Sequence, residues 1–482
     1  MSVIGVDLGT SRIKAVRYGQ DWAEADSCAE DAVVDRPAPG HSEQDMADVW
    51  AGLVRVVRTV AERSPDDIQL VAVTAQGDGC WLIDADGDPA GQALLWNDAR
   101  ATSLVDAWEA DGTLQRAFDI NGCFGFAGVA SSQLRWLQEN SPEVIERATT
   151  LLSCGGWAYF KLTGRRAIDD SEAANPFFDT RRRAYDERIL DLYGIADLRR
   201  LLPDAVRGKD RVAPLLGDVA REIGLQEGTP VVVAPYDVAS MATGSGAHRP
   251  GDAFAILGTT LCNGLVSDDP RLDRPGNGMS LPAAEEGGWL LTYPTMVGTE
   301  VIGWCQKLFG LDQPGDVIRL ADRSDRSRTP MVLPYFSTAG ERSPFLDPRA
   351  RGAILGLDVT HTREEVAAGI VDGLSMAVKD CVASAGSATM VAISGGGARS
   401  VSWCQVIADA VGVPVTLPDV EEIGARGAAL VGAYEIGMFD SLHDAVTAAV
   451  RPRQVLEPDP ERTKVLAERY EQFLQVRGKL FG

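Results

Sequence analysis

The sequence predicts an α/β protein made of two similar halves, and three observations predict it. An apolar run, Val3-Ile4-Gly5-Val6, enters Asp7-Leu8-Gly9-Thr10-Ser11, and alternation resumes at Lys14-Ala15-Val16-Arg17-Tyr18; this is the signature of a hairpin with a small-residue turn. The same strand-Gly-Thr design returns halfway along the chain at Ala253-Phe254-Ala255-Ile256-Leu257-Gly258-Thr259-Thr260. Elsewhere, buried-looking strands stop at glycines or acids and give way to helices, and such strand ends are where α/β sheets meet ligands. The two matching turns suggest a duplicated fold with a phosphate between its halves.

A chain of 482 residues is too long for one core and fits two to four domains. Its formal charge of −23 argues against nucleic acid or an anionic membrane as partner. A small anion can still bind where backbone dipoles and a few cations dominate locally. The eight cysteines are scattered with no CxxC pair, which reads as reduced cytosolic thiols. Four histidines without HExxH make a histidine-built zinc site improbable. No apolar run approaches the ~18 residues of a membrane span. The expectation is a cytoplasmic protein.

In chain order, the turn-rich Arg36-Pro37-Ala38-Pro39-Gly40-His41 leads through Ser42-Glu43-Gln44-Asp45 to a helix from Met46 to about Arg63. Val49, Leu53, Val56, Val57 and Val60 form its apolar face. The strand Leu70-Val71-Ala72-Val73-Thr74 stops at Ala75-Gln76-Gly77-Asp78-Gly79. Asp86-Gly87, flanked by Trp81-Leu82-Ile83 and Ala93-Leu94-Leu95-Trp96, predicts another hairpin. Trp96-Asn97-Asp98-Ala99-Arg100 is expected to cap the next helix. The segment 101–230 reads as mostly helical, until Val231-Val232-Val233-Ala234 ends at Pro235-Tyr236-Asp237. His248-Arg249-Pro250-Gly251 reads as an inter-domain turn. In the second half, Val366, Ile370, Leu374, Val378 and Val382 recur at fours along a long buried helix. A further strand, Met390-Val391-Ala392-Ile393-Ser394, stops at Gly395-Gly396-Gly397-Ala398, and Gly424-Ala425-Arg426-Gly427-Ala428-Ala429 opens a helix slim enough to pack on backbone.

These strand ends suggest chemistry. Backbone N–H groups of the first turn, with Thr10 and Ser11 hydroxyls and the Lys14 charge, can lie against phosphate oxygens. Asp7 stands where a carboxylate orients a phosphate-bound Mg²⁺ through water. Asp237, at a strand exit before a small-residue helix, is either the base that accepts a hydroxyl proton during phosphoryl transfer or a helix cap. Gln76 and Asp78 can hydrogen-bond sugar hydroxyls beside Trp96 as an apolar wall, or merely cap neighbours. Gly395 to Gly397 allow close backbone approach to a ligand, or make a tight turn. Neither GxxxxGK[ST] nor GxGxxG occurs, which excludes a P-loop or a Rossmann fingerprint.

In their order and spacing these pieces resemble the FGGY family of carbohydrate kinases. The resemblance includes Pro39-Gly40-His41-Ser42-Glu43-Gln44, Leu162-Thr163-Gly164 and Gly340-Glu341-Arg342-Ser343-Pro344. It implies two α/β domains of actin/hexokinase-like (ribonuclease H-like) fold, with ATP and sugar in the cleft between them. Residues 1–247 would form the sugar-binding domain and 248–482 the nucleotide-binding domain. It further implies that Asp237 is the base and Asp7 the metal-side carboxylate. Gly258, Thr259 and Thr260 would lie near the β- and γ-phosphates, and Gly396, Gly397 and Ala398 near the nucleotide. Gln76, Gly77, Asp78 and Trp96 would form the sugar pocket. ATP and Mg²⁺ are the implied cofactors and a small polyol or ketose the acceptor; the oligomeric state is open, a homodimer being one option.

The chain departs from the family pattern at Gln133, where Lys is usual, and at Gly369 and Asp372, where Ala and Glu are usual. Gln76-Gly77-Asp78-Gly79 matches neither the Gln-Met-His-Gly of typical D-xylulose kinases nor the Arg-Glu pair of glycerol kinases. With Trp96 and Asp98-Ala99-Arg100-Ala101 it is most similar to erythritol kinases, then to L-xylulose kinases. The expected function is therefore phosphorylation of erythritol, or of D- or L-xylulose. The rival readings are a non-catalytic actin-like ATP-binding switch and, more weakly, an ATP-driven hydrolase.

Overall fold

A computed structural model describes residues 2–64, 67–274, 276–285 and 287–481. The extreme residues of the two expected domains, 1 and 482, lie outside the described residues. The chain forms two compact units: Met1–His248 with Asp268–Leu290 and Glu422–Val450, and Arg249–Ser267 with Leu291–Glu421 and Arg451–Gly482. Each unit is thus assembled from separated stretches of sequence.

In the first unit, strands Ser2–Leu8 and Arg12–Tyr18 form the expected antiparallel hairpin, with Val6 opposite Ala15 and Asp7 opposite Lys14. Ser2–Leu8 also pairs in parallel with Ile68–Ala75, which pairs in parallel with Pro230–Val233. Parallel strands end on the same side of a sheet, so Asp7, the Gln76–Asp78 segment and Asp237 emerge along one edge. The inner strands are apolar on both faces because both are covered. Helix Met46–Glu62 covers one face with Val49, Leu53, Val56, Val57 and Val60, and is capped by Asp45, whose side chain accepts the Ala47 N–H.

The other face is covered by helix Ile423–Glu435, whose small residues let it lie directly on backbone. A Cβ on Gly5 would sit 2.1 Å from the Ala425 carbonyl oxygen, and one on Gly427 would sit 1.8 Å from that of Ser240. The Gly424-to-Ala429 stretch therefore clamps the first strand and helix Asp237–Ser245 together, at a separation no larger side chain permits.

In the second unit, Asp252–Leu257 and Leu261–Ser267 repeat the hairpin, and Asp252–Leu257 pairs in parallel with Met390–Ser394. Met390–Ser394 continues in parallel to Val415–Pro418, which pairs antiparallel with Pro452–Leu456. Helix Arg363–Ala385 runs beneath, opened by a reciprocal Thr362–Glu365 capping box. Of the residues at fours, Ile370, Leu374, Val378 and Val382 are buried, whereas Val366, in the first turn, is only partly covered.

The expected Asp86-Gly87 hairpin forms, in irregular shape: the Asp84 N–H donates to the Asp88 carbonyl, the Ala90 N–H to the Leu82 carbonyl, and Cys80 and Leu94 exchange backbone hydrogen bonds. Each arm also takes a distant partner, Trp81–Ile83 pairing with Thr150–Leu152 and Ala93–Leu94 with Glu43–Gln44. One local expectation is corrected. Asp98 does not cap a helix: helix Thr102–Ala110 begins after Ala101, without a side-chain cap. Asp98 instead accepts the Ser42 N–H at 2.7 Å and the Arg100 guanidinium, tying two loops together. Among the described residues, no helix is long and apolar enough to cross a membrane, and none of the eight cysteines is in a disulfide.

Candidate active site

The shared edge of the first unit's sheet gathers four acids: Asp7, Asp78, Glu172 and Asp237. Asp237 is the first residue of helix Asp237–Ser245, one position beyond the cap, and its Oδ1 accepts only the adjacent Val238 N–H, at 2.6 Å. Its side chain still reaches solvent. Enclosure by the fold, followed by the charges of Asp7 and then Asp78, lifts its ionisation to about 8. Burial likewise lifts Asp7 to about 6, although Lys14 pulls it down. Glu172, on helix Asp170–Phe177, is raised well above the usual range, by burial first and then by Asp78, Asp237 and Asp169.

The first turn is tightly wired. Thr10 Oγ1 donates to Gln76 Oε1 at 2.7 Å and accepts the Trp96 indole N–H at 2.9 Å. Gln76 Nε2 donates to Gln44 Oε1 at 2.7 Å, and Gln44 Nε2 returns to the Thr10 carbonyl at 3.3 Å. Trp96, about one third exposed at 36%, is thus fixed by its ring nitrogen while offering an accessible apolar face. Ser11 is exposed at the turn. Lys14 Nζ is engaged by Glu422 at 2.6 Å, beside Asp7. Asp7 itself faces the start of helix Ile423–Glu435, where a Cβ on Gly424 would lie 2.7 Å from its Oδ2; the positive end of that helix favours a carboxylate there.

The Gln76-to-Gly79 loop is held from outside. Asn175 Nδ2 donates to Asp78 Oδ1 at 2.7 Å, and the Tyr236 hydroxyl donates to Asp78 Oδ2 at 2.8 Å. Asp78 has φ +56°, a left-handed conformation uncommon for a residue with a side chain. Gly77 is dictated by Tyr236: a Cβ there would meet the ring at 1.7 Å.

In the second unit, the Gly258 carbonyl accepts both the backbone N–H and the hydroxyl of Thr299, each at 2.8 Å. Thr259 is exposed at the tip of that turn. Thr299 also lines a cavity of about 770 Å³ together with Gly396, Gly397, Arg399, Ser400 and Trp403. That volume suits a nucleotide-sized ligand. Ala398 is not on its wall and packs against the core instead. Glu341, in the polar Gly340-to-Pro344 loop, accepts the Met296 and Arg342 backbone N–H groups and so orders the loop.

Gln44, Glu172, Asn175, Tyr236, Thr299 and Glu422 are positioned at these sites but carry no role in the sequence reading. Gln44 lies within the Pro39-to-Gln44 motif and Tyr236 is the immediate neighbour of Asp237, so both were within reach. Glu172 and Asn175 sit on a helix with no signature of its own and come to the loop only through folding.

The chain matches the FGGY family of carbohydrate kinases over both of its domains, the N-terminal at residues 2–244 and the C-terminal at 253–436. It is 32% identical to erythritol kinase of Brucella abortus, over 98% of this chain and 94% of that protein. It is 29% identical to xylulose kinase of Escherichia coli, over 99% of each. A crystal structure of ligand-bound xylulose kinase from Lactobacillus acidophilus superposes with a TM-score of 0.93 at 21% identity, covering 99% of this chain and 98% of that one. The chain belongs to the FGGY family of carbohydrate kinases. It is an ATP-dependent sugar kinase of actin/hexokinase-like fold, which sets aside the switch and hydrolase readings.

Proposed function

We propose that this kinase phosphorylates a small uncharged polyol or ketose, erythritol first and D- or L-xylulose next, with Asp237 as general base. One observation carries the reading: Asp7, Asp78, Glu172 and Asp237 converge on one sheet edge, and the charges of Asp7 and Asp78 both raise Asp237. Burying acids together costs stability, and such a cost is usual where the chemistry needs it. A carboxylate whose ionisation lies near the working pH can take a proton from a hydroxyl and release it again. Asp237 has that property, and its single hydrogen bond to Val238 leaves its second oxygen clear of the helix backbone.

Gln76, Gly77, Asp78 and Trp96 would hold the acceptor, the first through the fixed Thr10–Gln76–Gln44 ring and the last through its exposed face. Thr10, Ser11 and Lys14 would contribute donors to phosphate. Gly258, Thr259 and Thr260 would face the β- and γ-phosphates, and the cavity beside Gly396 and Gly397 the rest of ATP, with Ala398 acting behind it. Negative charge around the acceptor disfavours a sugar acid and is consistent with an uncharged substrate.

Mg²⁺ fits the residues present. Asp7 is a hard oxygen donor whose ionisation burial has raised, so a cation beside it would be favoured. Such an ion would be carried mainly by phosphate and water, with Asp7 orienting it. When bound, Mg²⁺ would spread the phosphate charge.

The test is ADP release from Mg·ATP with erythritol, threitol, glycerol, D- and L-xylulose, D- and L-ribulose, xylitol and ribitol. A single preferred polyol or ketose is the expected result. Stimulation by none of them, with ATP still bound, would reject the acceptor class.

A further inference from the structure

Tyr236 is buried; its backbone N–H donates to Ser171 Oγ at 2.8 Å, which holds the strand exit, and its hydroxyl anchors the far end of the ring on Asp78. The ring fills the space that any side chain at position 77 would need, with Cε2, Cδ2 and Cζ all within 2.4 Å of a Cβ built there. Residues 77 and 236 therefore exclude one another: a side chain can come from the loop or from the strand exit, not from both. Here it comes from the strand exit and ends in a hydroxyl 2.8 Å from Asp78 Oδ2. Asn175 holds the other oxygen. The Asp78 carboxylate, on a left-handed backbone, is thus gripped from two sides.

We infer that Tyr236 is a specificity-determining residue, which positions Asp78 so that its carboxylate reads a pair of neighbouring hydroxyls on an uncharged acceptor. This rests on the reading above that Asp78 faces the acceptor. A carboxylate held at both oxygens presents a fixed direction, and its fit to two hydroxyls depends on their spacing and handedness. Tyr236 acts through Asp78 and takes no part in the proton transfer assigned to Asp237.

The experiment compares wild-type enzyme with Tyr236→Phe, which keeps the ring and removes only the hydroxyl, across the polyol and ketose panel. Loss of one hydrogen bond to a charged group predicts an acceptor KM raised roughly 10- to 100-fold. The KM for ATP and the kcat with the preferred acceptor should stay within about twofold, and the preference between epimers should flatten. A second pair of variants covers the case in which the substitution acts on folding. Gly77→Ala should be inactive, and Gly77→Ala combined with Tyr236→Ala should regain turnover with a relaxed acceptor preference. An unchanged acceptor KM and epimer ratio in Tyr236→Phe would overturn the inference, as would a fully active Gly77→Ala. If wild-type enzyme uses no neutral acceptor at all, the acceptor assignment itself fails, and this inference with it.

Discussion

The first unit buries two groups of acids that are built in opposite ways. In one, Asp169 and Glu435 surround Arg211, whose Nε lies 2.6 Å from Asp169 Oδ2 and Nη1 3.0 Å from Glu435 Oε1, with Asp170 at 3.6 Å. In the other, burial and then Asp78 and Asp237 raise Glu172, burial and then Asp7 and Asp78 raise Asp237, and the Lys14 beside Asp7 is shared with Glu422. The first group sets its acids against arginines, Arg211 at the centre and Arg183 on Asp170, and serves as a fastener between distant segments. The second leaves charge uncompensated, which a stable fold does not need and a proton-transfer site does. Ser171 joins them: its hydroxyl donates to Asp169 and accepts the Tyr236 N–H, so the fastener sets the position of the strand exit that carries Asp237.

That contrast breaks most visibly at Arg211. Arg211→Met should remove the cation shared by the buried Asp169 and Glu435 and cost about 3–5 kcal/mol, read by urea or thermal unfolding. Stability within about 1 kcal/mol of wild type would mean that the pairing is not the fastener described.

Asp237→Asn should do the reverse. Turnover should fall by roughly 10²- to 10⁴-fold while acceptor binding is largely kept. The protein should also become more stable at high pH. Asp237 holds its proton up to about 8 in the fold against an ordinary value of 3.8, so its burden on stability grows as pH rises through that window and is complete above it. The melting temperature of Asp237→Asn should therefore exceed wild type at alkaline pH, with the gap closing towards the ordinary value. No gain, or a loss, would remove Asp237 from the strained group.

A smaller effect sharpens the same point. In wild type, kcat/KM for the acceptor should climb about tenfold per pH unit on the acid side and level off once Asp237 ionises. Asp78→Asn removes one of the charges that raise Asp237, so the limb of its residual activity should move to lower pH. A limb that stays put would mean that the four acids are not electrostatically joined. Last, the aldonic acid matching the preferred polyol should be poorer by about tenfold or more, since one extra repulsion near a partly buried acid is worth that much. Equal use of the acid would show that the cluster is neutralised during turnover.

Much of this was legible in the chain. Alternation around Gly9-Thr10 and Gly258-Thr259 specified two hairpins, because a period of two with a small-residue turn has few other solutions. The stripe at fours specified helix Arg363–Ala385, and Asp237 stood out as an acid at the exit of an all-apolar strand. Asp98 misled because its local signal was real, but the partner that used it, Ser42, lies far along the chain; the Asp86-Gly87 hairpin formed, while its additional partners at 150–152 and 43–44 were not legible locally.

The sequence by itself determined which segments become strands and helices and which small residues permit close approach, since propensity and periodicity act over a few neighbours. Only the tertiary structure decided that Gly77 is small for the sake of Tyr236, that Asn175 and Glu172 serve the same loop, and that Arg211 satisfies one group of acids and not the other. Those outcomes depend on contacts between residues from 42 to 224 positions apart. Pairing and desolvation are properties of distance in space, which spacing in sequence does not encode.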